Sequence, residues 1–340
     1  MTTSIRKALI SEFGGPEKIS IVNDFISPPG PNEVQVRVLY ASMGGADINM
    51  RIGDYPMQKK APLTPGYSFV GRVQVNGSAC SKYSKGDLVA CMSMYDGDSE
   101  LVNKPEKYLI VVPDGVDLQQ AVALPCDWNT AYGMVHRCAK VHAGQRVFVH
   151  GLSGSVGYAI MTLSKLCGAE VYGTASEANH AALRELGAHP FTYKNKDWIQ
   201  SMTELGGAHV VCDPLGFESW DESWSILDKK GGHVIGYGSN GPMLSGQPAS
   251  LTAVVMNTTK LLSRNLVPFC PHKTSFYYID KDQKTFEPEL KELFKLLQDG
   301  KIKIPIRKVW TLDEVPEAHR TWTQGGGVGT VVVKVQEDRV

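Results

Sequence analysis

The chain has 340 residues, and its 35 Lys plus Arg balance its 35 Asp plus Glu, so no net field draws it to nucleic acid or an anionic membrane. Its length suits two domains with sizeable cores, its first residues lack the apolar core of a signal peptide, and no stretch approaches the roughly 20 apolar residues of a membrane span. Seven cysteines, at 80, 91, 126, 138, 167, 212 and 270, form no C-x-x-C pair; their odd number and scatter argue against a disulfide scaffold or zinc knuckle and lead us to expect reduced thiols, a cytoplasmic protein and a small-molecule partner.

Residues 1 to about 124 read as short strands separated by turns. Strands are expected at Lys7–Ser11, Ile19–Val22, Glu33–Ala41, Phe69–Val75, Leu88–Met92 and Lys107–Val112, punctuated by Pro28-Pro29-Gly30-Pro31, Asn76-Gly77 and Lys85-Gly86-Asp87. This is an all-β module of barrel type. Asp127–Arg137 reads as a helix, Arg146–His150 as a buried strand, and Val156, Ala159, Ile160, Leu163 and Leu166 repeat at helical spacing. A second strand follows at Ala169–Thr174, then a helix at Ala178–Leu186 closed by Gly187. Strands His209–Asp213 and His233–Tyr237 flank the amphipathic stretch Ser219–Leu227, and Leu251–Leu262 completes the module. Strands alternating with helices imply a doubly wound parallel sheet with its ligand at the strand ends. The tail adds a helix at Pro288–Leu297 and a strand at Gly329–Val335 that rejoins the first module, with Gly325-Gly326-Gly327 as a flexible turn. The expected domains are therefore 1–124 with 266–340, and 125–265.

The organising stretch is Gly151-Leu152-Ser153-Gly154-Ser155-Val156-Gly157, between a strand and a helix. Backbone amides at a helix start carry partial positive charge, and a pyrophosphate sits there when no side chain blocks it. Gly151, Gly154 and Gly157 supply that clearance, so we expect Gly151, Ser153, Gly154, Ser155, Val156 and Gly157 to bind a dinucleotide. The spacing differs from the commoner Gly-x-Gly-x-x-Gly.

An NAD-selective site usually ends its second strand with an acid that binds the ribose 2′-hydroxyl. Here the strand ends Thr174-Ala175-Ser176. The missing acid points to NADPH, with Ser176 and Asn179 as hydrogen-bond donors to the 2′-phosphate, although this loop has no Lys or Arg and carries Glu177.

Several stretches together resemble the zinc-independent quinone-reductase branch of the medium-chain dehydrogenase/reductase superfamily. They are Phe13-Gly14-Gly15-Pro16-Glu17, the segment from Ala46 to Pro56, Thr64-Pro65-Gly66, His150 to Gly157, Asp213-Pro214-Leu215-Gly216 and Gly329 to Val333. The resemblance covers nearly the whole chain and extends to vesicle amine transport protein members and enoyl reductases. It implies an α/β fold: a discontinuous GroES-like β-barrel catalytic domain around a Rossmann cofactor domain, in a homodimer. By this resemblance Thr130 approaches the cofactor phosphates or nicotinamide, Tyr193 lies along the adenosine, and Tyr237, Gly238 and Ser239 hold the nicotinamide end.

The same comparison exposes departures. Zinc-dependent members carry a ligand Cys near Met43 or Gly44 and a His-Glu pair where this chain has Tyr67 and Ser68, and the nine histidines show no ligand spacing. No zinc is expected. Many quinone reductases have Asn where this chain has Gly44.

Reducing a quinone or enone moves negative charge onto oxygen, which needs a donor aimed at it in a dry site. Tyr55 matches the tyrosine that related reductases place at the substrate pocket and is the expected hydrogen-bond donor or acid; Tyr67 is the second catalytic candidate. Asp47 reads as a structural acceptor. Two rival readings stand beside this one: a non-catalytic, crystallin-like or interaction role, and a serine hydrolase built on Gly151-Leu152-Ser153-Gly154-Ser155, whose fifth position departs from the nucleophile elbow.

Overall fold

The computed structural model describes residues 1–338 other than 56, 247, 248 and 325. Fifteen strands appear among the described residues. In chain order they are β1 (Thr3–Ile10), β2 (Ile19–Ile26), β3 (Glu33–Met43), β4 (Ser68–Asn76), β5 (Leu88–Met92), β6 (Leu101–Pro105), β7 (Ile110–Val111), β8 (Arg146–Val149), β9 (Glu170–Ala175), β10 (His189–Thr192), β11 (Val210–Asp213), β12 (His233–Gly236), β13 (Lys273–Phe276), β14 (Ile306–Thr311) and β15 (Thr330–Lys334). They divide between two compact units.

The first unit, residues 1–129, 280–325 and 330–340, is mainly antiparallel. β1 and β2 form a hairpin in register from Thr3↔Ile26 to Ile10↔Ile19. A seven-stranded sheet runs β14-β15-β3-β4-β5-β7, with β6 also on β3. β3 pairs with β4, β6 and β15, so its Val34, Val36, Val38, Leu39 and Ala41 are all fully buried. The strand expected over Lys107–Val112 is only β7, because a single 3₁₀ turn at Glu106–Tyr108 interrupts it. The helix expected at Asp127–Arg137 is a longer coil with wide turns, seen in the bonds Trp128 N to Ala123 O (3.2 Å) and Ala139 N to Met134 O (2.9 Å). Pro125, which has no amide to offer the ladder, lies in the first of them.

The second unit, residues 130–279 and 326–329, holds an all-parallel sheet ordered β10-β9-β8-β11-β12-β13. Helices cover both faces of such sheets, so the inner strands are apolar throughout. Phe148, Tyr172, Trp198, Met202, Val211, Trp220, Val234 and Leu261 form one core cluster. Gly236 makes room for it: a Cβ there would sit 2.7 Å from the Trp220 ring.

Three differences from the sequence expectations concern this unit. β10 lies outside the expected strands; the proline within it, Pro190, is tolerated because β10 is an edge strand. The break expected after residue 265 falls after Ile279, because β13 adds in parallel to β12 with His233↔Lys273 and Gly236↔Phe276 in register. Gly326–Gly329 belongs to this unit as an ordered segment, not a flexible turn, although Gly325 lies outside the described residues.

Candidate active site

The glycine turn is built by three different requirements. Gly151 has φ +71°, the left-handed region that favours glycine, and its carbonyl accepts the Gly154 amide at 3.0 Å. Gly157 allows close packing, since a Cβ there would lie 2.2 Å from the Gly151 oxygen. Gly154 precedes the helix Ser155–Leu166, whose first ladder bond is Tyr158 N to Gly154 O at 2.8 Å. A Cβ at Gly154 would meet only the Gly151 oxygen, at 3.4 Å, so the packing of the fold does not itself require glycine there. The amides of Ser155, Val156 and Gly157 lie ahead of that first bond, and a diphosphate fits this helix start.

The segment Gly326–Gly329 closes one side of this turn. Gly329 N donates to Ser153 O at 2.9 Å, and Gly154 and Gly329 form a parallel bridge. Asn179 Oδ1 accepts the Gly327 amide at 3.0 Å while its Nδ2 donates to Gly327 O and to Ser176 Oγ, both at 3.2 Å. The side chain expected to bind a 2′-phosphate is thus engaged with the Gly326–Gly329 segment, which leaves the half-buried Ser176 as the more accessible member of that pair. Nothing in the composition of the glycine run signalled this pairing.

Beneath the turn runs a buried polar chain that sequence reasoning missed. Asp213, fully buried, accepts Leu215 N at 2.7 Å, Ser219 Oγ at 2.7 Å and Ser223 Oγ at 2.6 Å. Ser223 has one proton and gives it to Asp213, so His150 Nε2, 3.2 Å away, is the donor to Ser223 Oγ. His150 Nδ1 then accepts from Thr174 Oγ1 at 3.3 Å, and Thr174 Oγ1 accepts the Gly151 amide at 3.3 Å. Burial pushes the His150 pKa down, which keeps the ring neutral and consistent with that single direction of donation. The signal was present in the sequence as His150, just past β8, and Asp213, at the end of β11.

Of the remaining cofactor candidates, Tyr237, Gly238 and Ser239 follow β12, Tyr193 follows β10, and Thr130 lies in the helical segment Asn129–Tyr132. Tyr237 N donates to Asp213 O at 3.1 Å and Asn240 N to Pro214 O at 2.9 Å, which fixes the turn holding Gly238 and Ser239. The Ser239 hydroxyl is buried without a partner among the described residues, a polar group suited to a ligand. Thr130 is buried, and Tyr193 is exposed just past β10.

The first unit carries the two tyrosines. Tyr55 and Tyr67 place their hydroxyls 2.6 Å apart, with rings edge to face at 64°. Tyr67 is buried and Tyr55 half-buried. Asp47 fixes the loops around them: Oδ2 accepts Gly44 N and Oδ1 accepts Gly66 N, each at 2.9 Å. Burial raises the Asp47 carboxyl to about 6 against the pull of those amides. Gly66, at φ +102°, passes so close to the 97–98 backbone that a Cβ would lie 2.4 Å from Asp98 N.

Comparison with known proteins follows the same division. Residues 30–116 match the family model Alcohol dehydrogenase GroES-like domain, and residues 186–333 match the model Zinc-binding dehydrogenase. A quinone oxidoreductase of Lama guanicoe is 30% identical over 246 residues, which span 70% of this chain and 74% of the relative. The chain belongs to the quinone oxidoreductase-like branch of the medium-chain dehydrogenases/reductases.

This oxidoreductase is also 27% identical, over 98% of its length and 82% of the relative, to the Mus musculus Synaptic vesicle membrane protein VAT-1 homolog-like. The Escherichia coli quinone oxidoreductase solved in complex with NADPH shares its fold, with a TM-score of 0.81 at 21% identity over 97% of this chain and 100% of that one. Among the described residues no three His, Cys, Asp or Glu side chains converge to hold a metal ion, and no helix is long and apolar enough to cross a membrane. Ser68 is committed to the fold: its hydroxyl donates to Val122 O at 2.9 Å and lies 2.6 Å from Ser42 Oγ. The oxidoreductase contains one Ser-His-Asp grouping in the buried chain, Ser223, His150 and Asp213, but all three are at most 2% exposed and exclude Ser153. A hydrolase nucleophile would have no access to substrate.

Proposed function

We propose that this chain is a zinc-independent, NADPH-dependent reductase of conjugated carbonyl compounds, quinones or enones, acting in the cytoplasm. The observation that carries the reading is the bare helix start at Gly154, with Ser155, Val156 and Gly157 amides above a turn fixed by Gly151 and the Asp213–Gly151 polar chain. When bound there, the nicotinamide cofactor supplies hydride. The chain's own residues bind, orient and handle charge. Tyr55 donates a hydrogen bond to the substrate oxygen as it gains charge, and Tyr67, sharing a proton with Tyr55, supports that donor. Ser239 and the Tyr237–Gly238 turn orient the nicotinamide end.

NADPH is favoured over NADH by the strand ends. β9 closes on Ala175-Ser176 with no acid, and Ala175 is in register with Thr192 of the neighbouring β10. Lys194, two residues on, has no carboxylate partner among the described residues, whereas Lys196 pairs with Glu222. Lys194 supplies the cation that the Ser176 loop lacks. The exposed Leu266, Val267 and Phe269 beside the edge strand β13 fit coverage by a second copy of the chain, giving a homodimer that sedimentation would read directly.

A non-catalytic binding role is favoured by two observations: Gly44 offers no side chain, and a relative of high coverage is named for a vesicle membrane. Turnover decides between them. Oxidation of NADPH by 9,10-phenanthrenequinone or 1,2-naphthoquinone, followed by absorbance, supports the reductase; NADPH binding without turnover of quinone or enone supports the binding role.

A further inference from the structure

The first unit contains a cavity that none of this chemistry uses. Its volume is about 310 Å3, near the lower end of roughly 300–1,000 Å3 for ligand sites, and too small for a dinucleotide. Four ammonium groups line it, Lys107, Lys281, Lys284 and Lys291, against one carboxylate, Glu287. Glu287 is taken by Lys291 at 2.8 Å. Asp282, next to Lys281 in sequence, is taken by Lys107 at 3.1 Å and by the Tyr108 hydroxyl at 2.9 Å. Lys281 and Lys284 therefore have no carboxylate within ion-pair distance among the described residues.

Lys281 is the informative one. It is half-buried, and its ammonium lies 4.1 Å from the centroid of the Tyr108 ring, which Lys107 also covers at 4.4 Å. Burial is the main cause of its lowered pKa; the nearby Lys104 and Lys107 push in the same direction, while Cys91 and Asp282 oppose it without reversing it. Lys104 is itself held by Asp96 at 2.8 Å. A partly desolvated ammonium among like charges, with an aromatic face as its main contact, is an unfavourable arrangement that an anion would relieve. Tyr108, Ile110, Phe286 and Pro288 give the cavity apolar walls.

We propose that this cavity binds a small anion of the phosphate-monoester class, with Lys281 and Lys284 as its charge partners. Two uncompensated cations match a dianion, and each ammonium has donors for the phosphate oxygens. A soluble sugar or glycerol phosphate and the monoester headgroup of phosphatidate share this chemistry.

The test uses the full chain, glycerol 3-phosphate in calorimetry and phosphatidylcholine vesicles containing phosphatidate in flotation. Wild type is compared with Lys281→Gln/Lys284→Gln and with Lys229→Gln/Lys230→Gln, a lysine pair outside the cavity. We expect saturable binding that weakens about tenfold or more in the first variant, is unchanged in the second, and returns in Lys281→Arg/Lys284→Arg. Binding of glycerol 3-phosphate assigns a soluble ligand, and binding of the vesicles alone assigns the lipid headgroup. If the glutamine pair fails to fold, the exposed Lys284→Glu must abolish binding by itself. No saturable binding of either probe to wild type, equal loss in both lysine pairs, or displacement of the probe by NADPH overturns the proposal.

Discussion

The Tyr55 and Tyr67 hydroxyls lie 2.6 Å apart, close enough to share one proton, although the residues stand twelve positions apart on different local elements. If Tyr55 faces the substrate oxygen, the loss of its hydroxyl is felt in the transition state. Tyr55→Phe should lower kcat by about 10- to 1,000-fold with NADPH affinity unchanged, and Tyr67→Phe should lower it less, because Tyr55 retains its own proton. Steady-state rates with 9,10-phenanthrenequinone test this; an unchanged kcat in Tyr55→Phe would leave the residue as pocket wall.

Gly154 and Gly157 should respond in opposite ways. Gly154→Val adds bulk where the protein itself offers only one contact at 3.4 Å, so the fold should keep its melting temperature while NADPH affinity falls. Gly157→Ala drives a Cβ against the Gly151 oxygen, so stability itself should drop, by about 1–3 kcal/mol. Calorimetric titration and thermal melts on both variants separate the two. Retained NADPH affinity in Gly154→Val would remove the diphosphate from this helix start.

Lys194→Ala should weaken NADPH by about tenfold and leave NADH within twofold, since only the 2′-phosphate needs the cation. Competition with 2′-AMP reads the same contact without the nicotinamide. Equal losses for both cofactors would point to a change in the β10 end, and no change in either would move the specificity to another residue.

His319 predicts a pH dependence that is independent of the cofactor. The ring is buried, neither nitrogen has a partner among the described residues, and burial with the nearby Arg51 pushes its pKa to about 3 from the ordinary 6.5. Between those values the unfolded chain binds a proton that the native chain refuses, so this stability is present above 6.5 and lost as pH falls toward 3. His319→Leu removes the titration without removing a hydrogen bond seen among the described residues. Its stability relative to wild type should rise as pH drops from 6.5, by up to about 1.4 kcal/mol per unit. Denaturant melts at several pH values check the slope; parallel curves for the two proteins would count against it.

Local patterns carried most of the fold. β5 has the bounds its apolar run implied, and the turn from Gly151 to Gly157 could be read from glycine placement between a strand and a helix. Elements whose logic is tertiary were not legible. β10 holds a proline that only its edge position permits, β13 is a short polar strand, and the 124–138 coil takes wide turns that helical periodicity does not encode. At the site, the family resemblance singled out Tyr55 and Tyr67 but not their contact. Asn179 was chosen for its donors, and those donors turn to Gly327, 148 positions along the chain.

Gly326–Gly329 has a consequence for how the protein is made. During synthesis, the turn bearing Ser153 emerges long before its partner Gly329, so a nascent chain holds the proposed nucleotide cradle open at one rim until residue 329 has followed. Ribosome-bound chains stopped ahead of residue 326 should therefore have a formed parallel sheet and an unfinished turn at Ser153, so that competence for cofactor waits on a segment remote in sequence from the glycine turn.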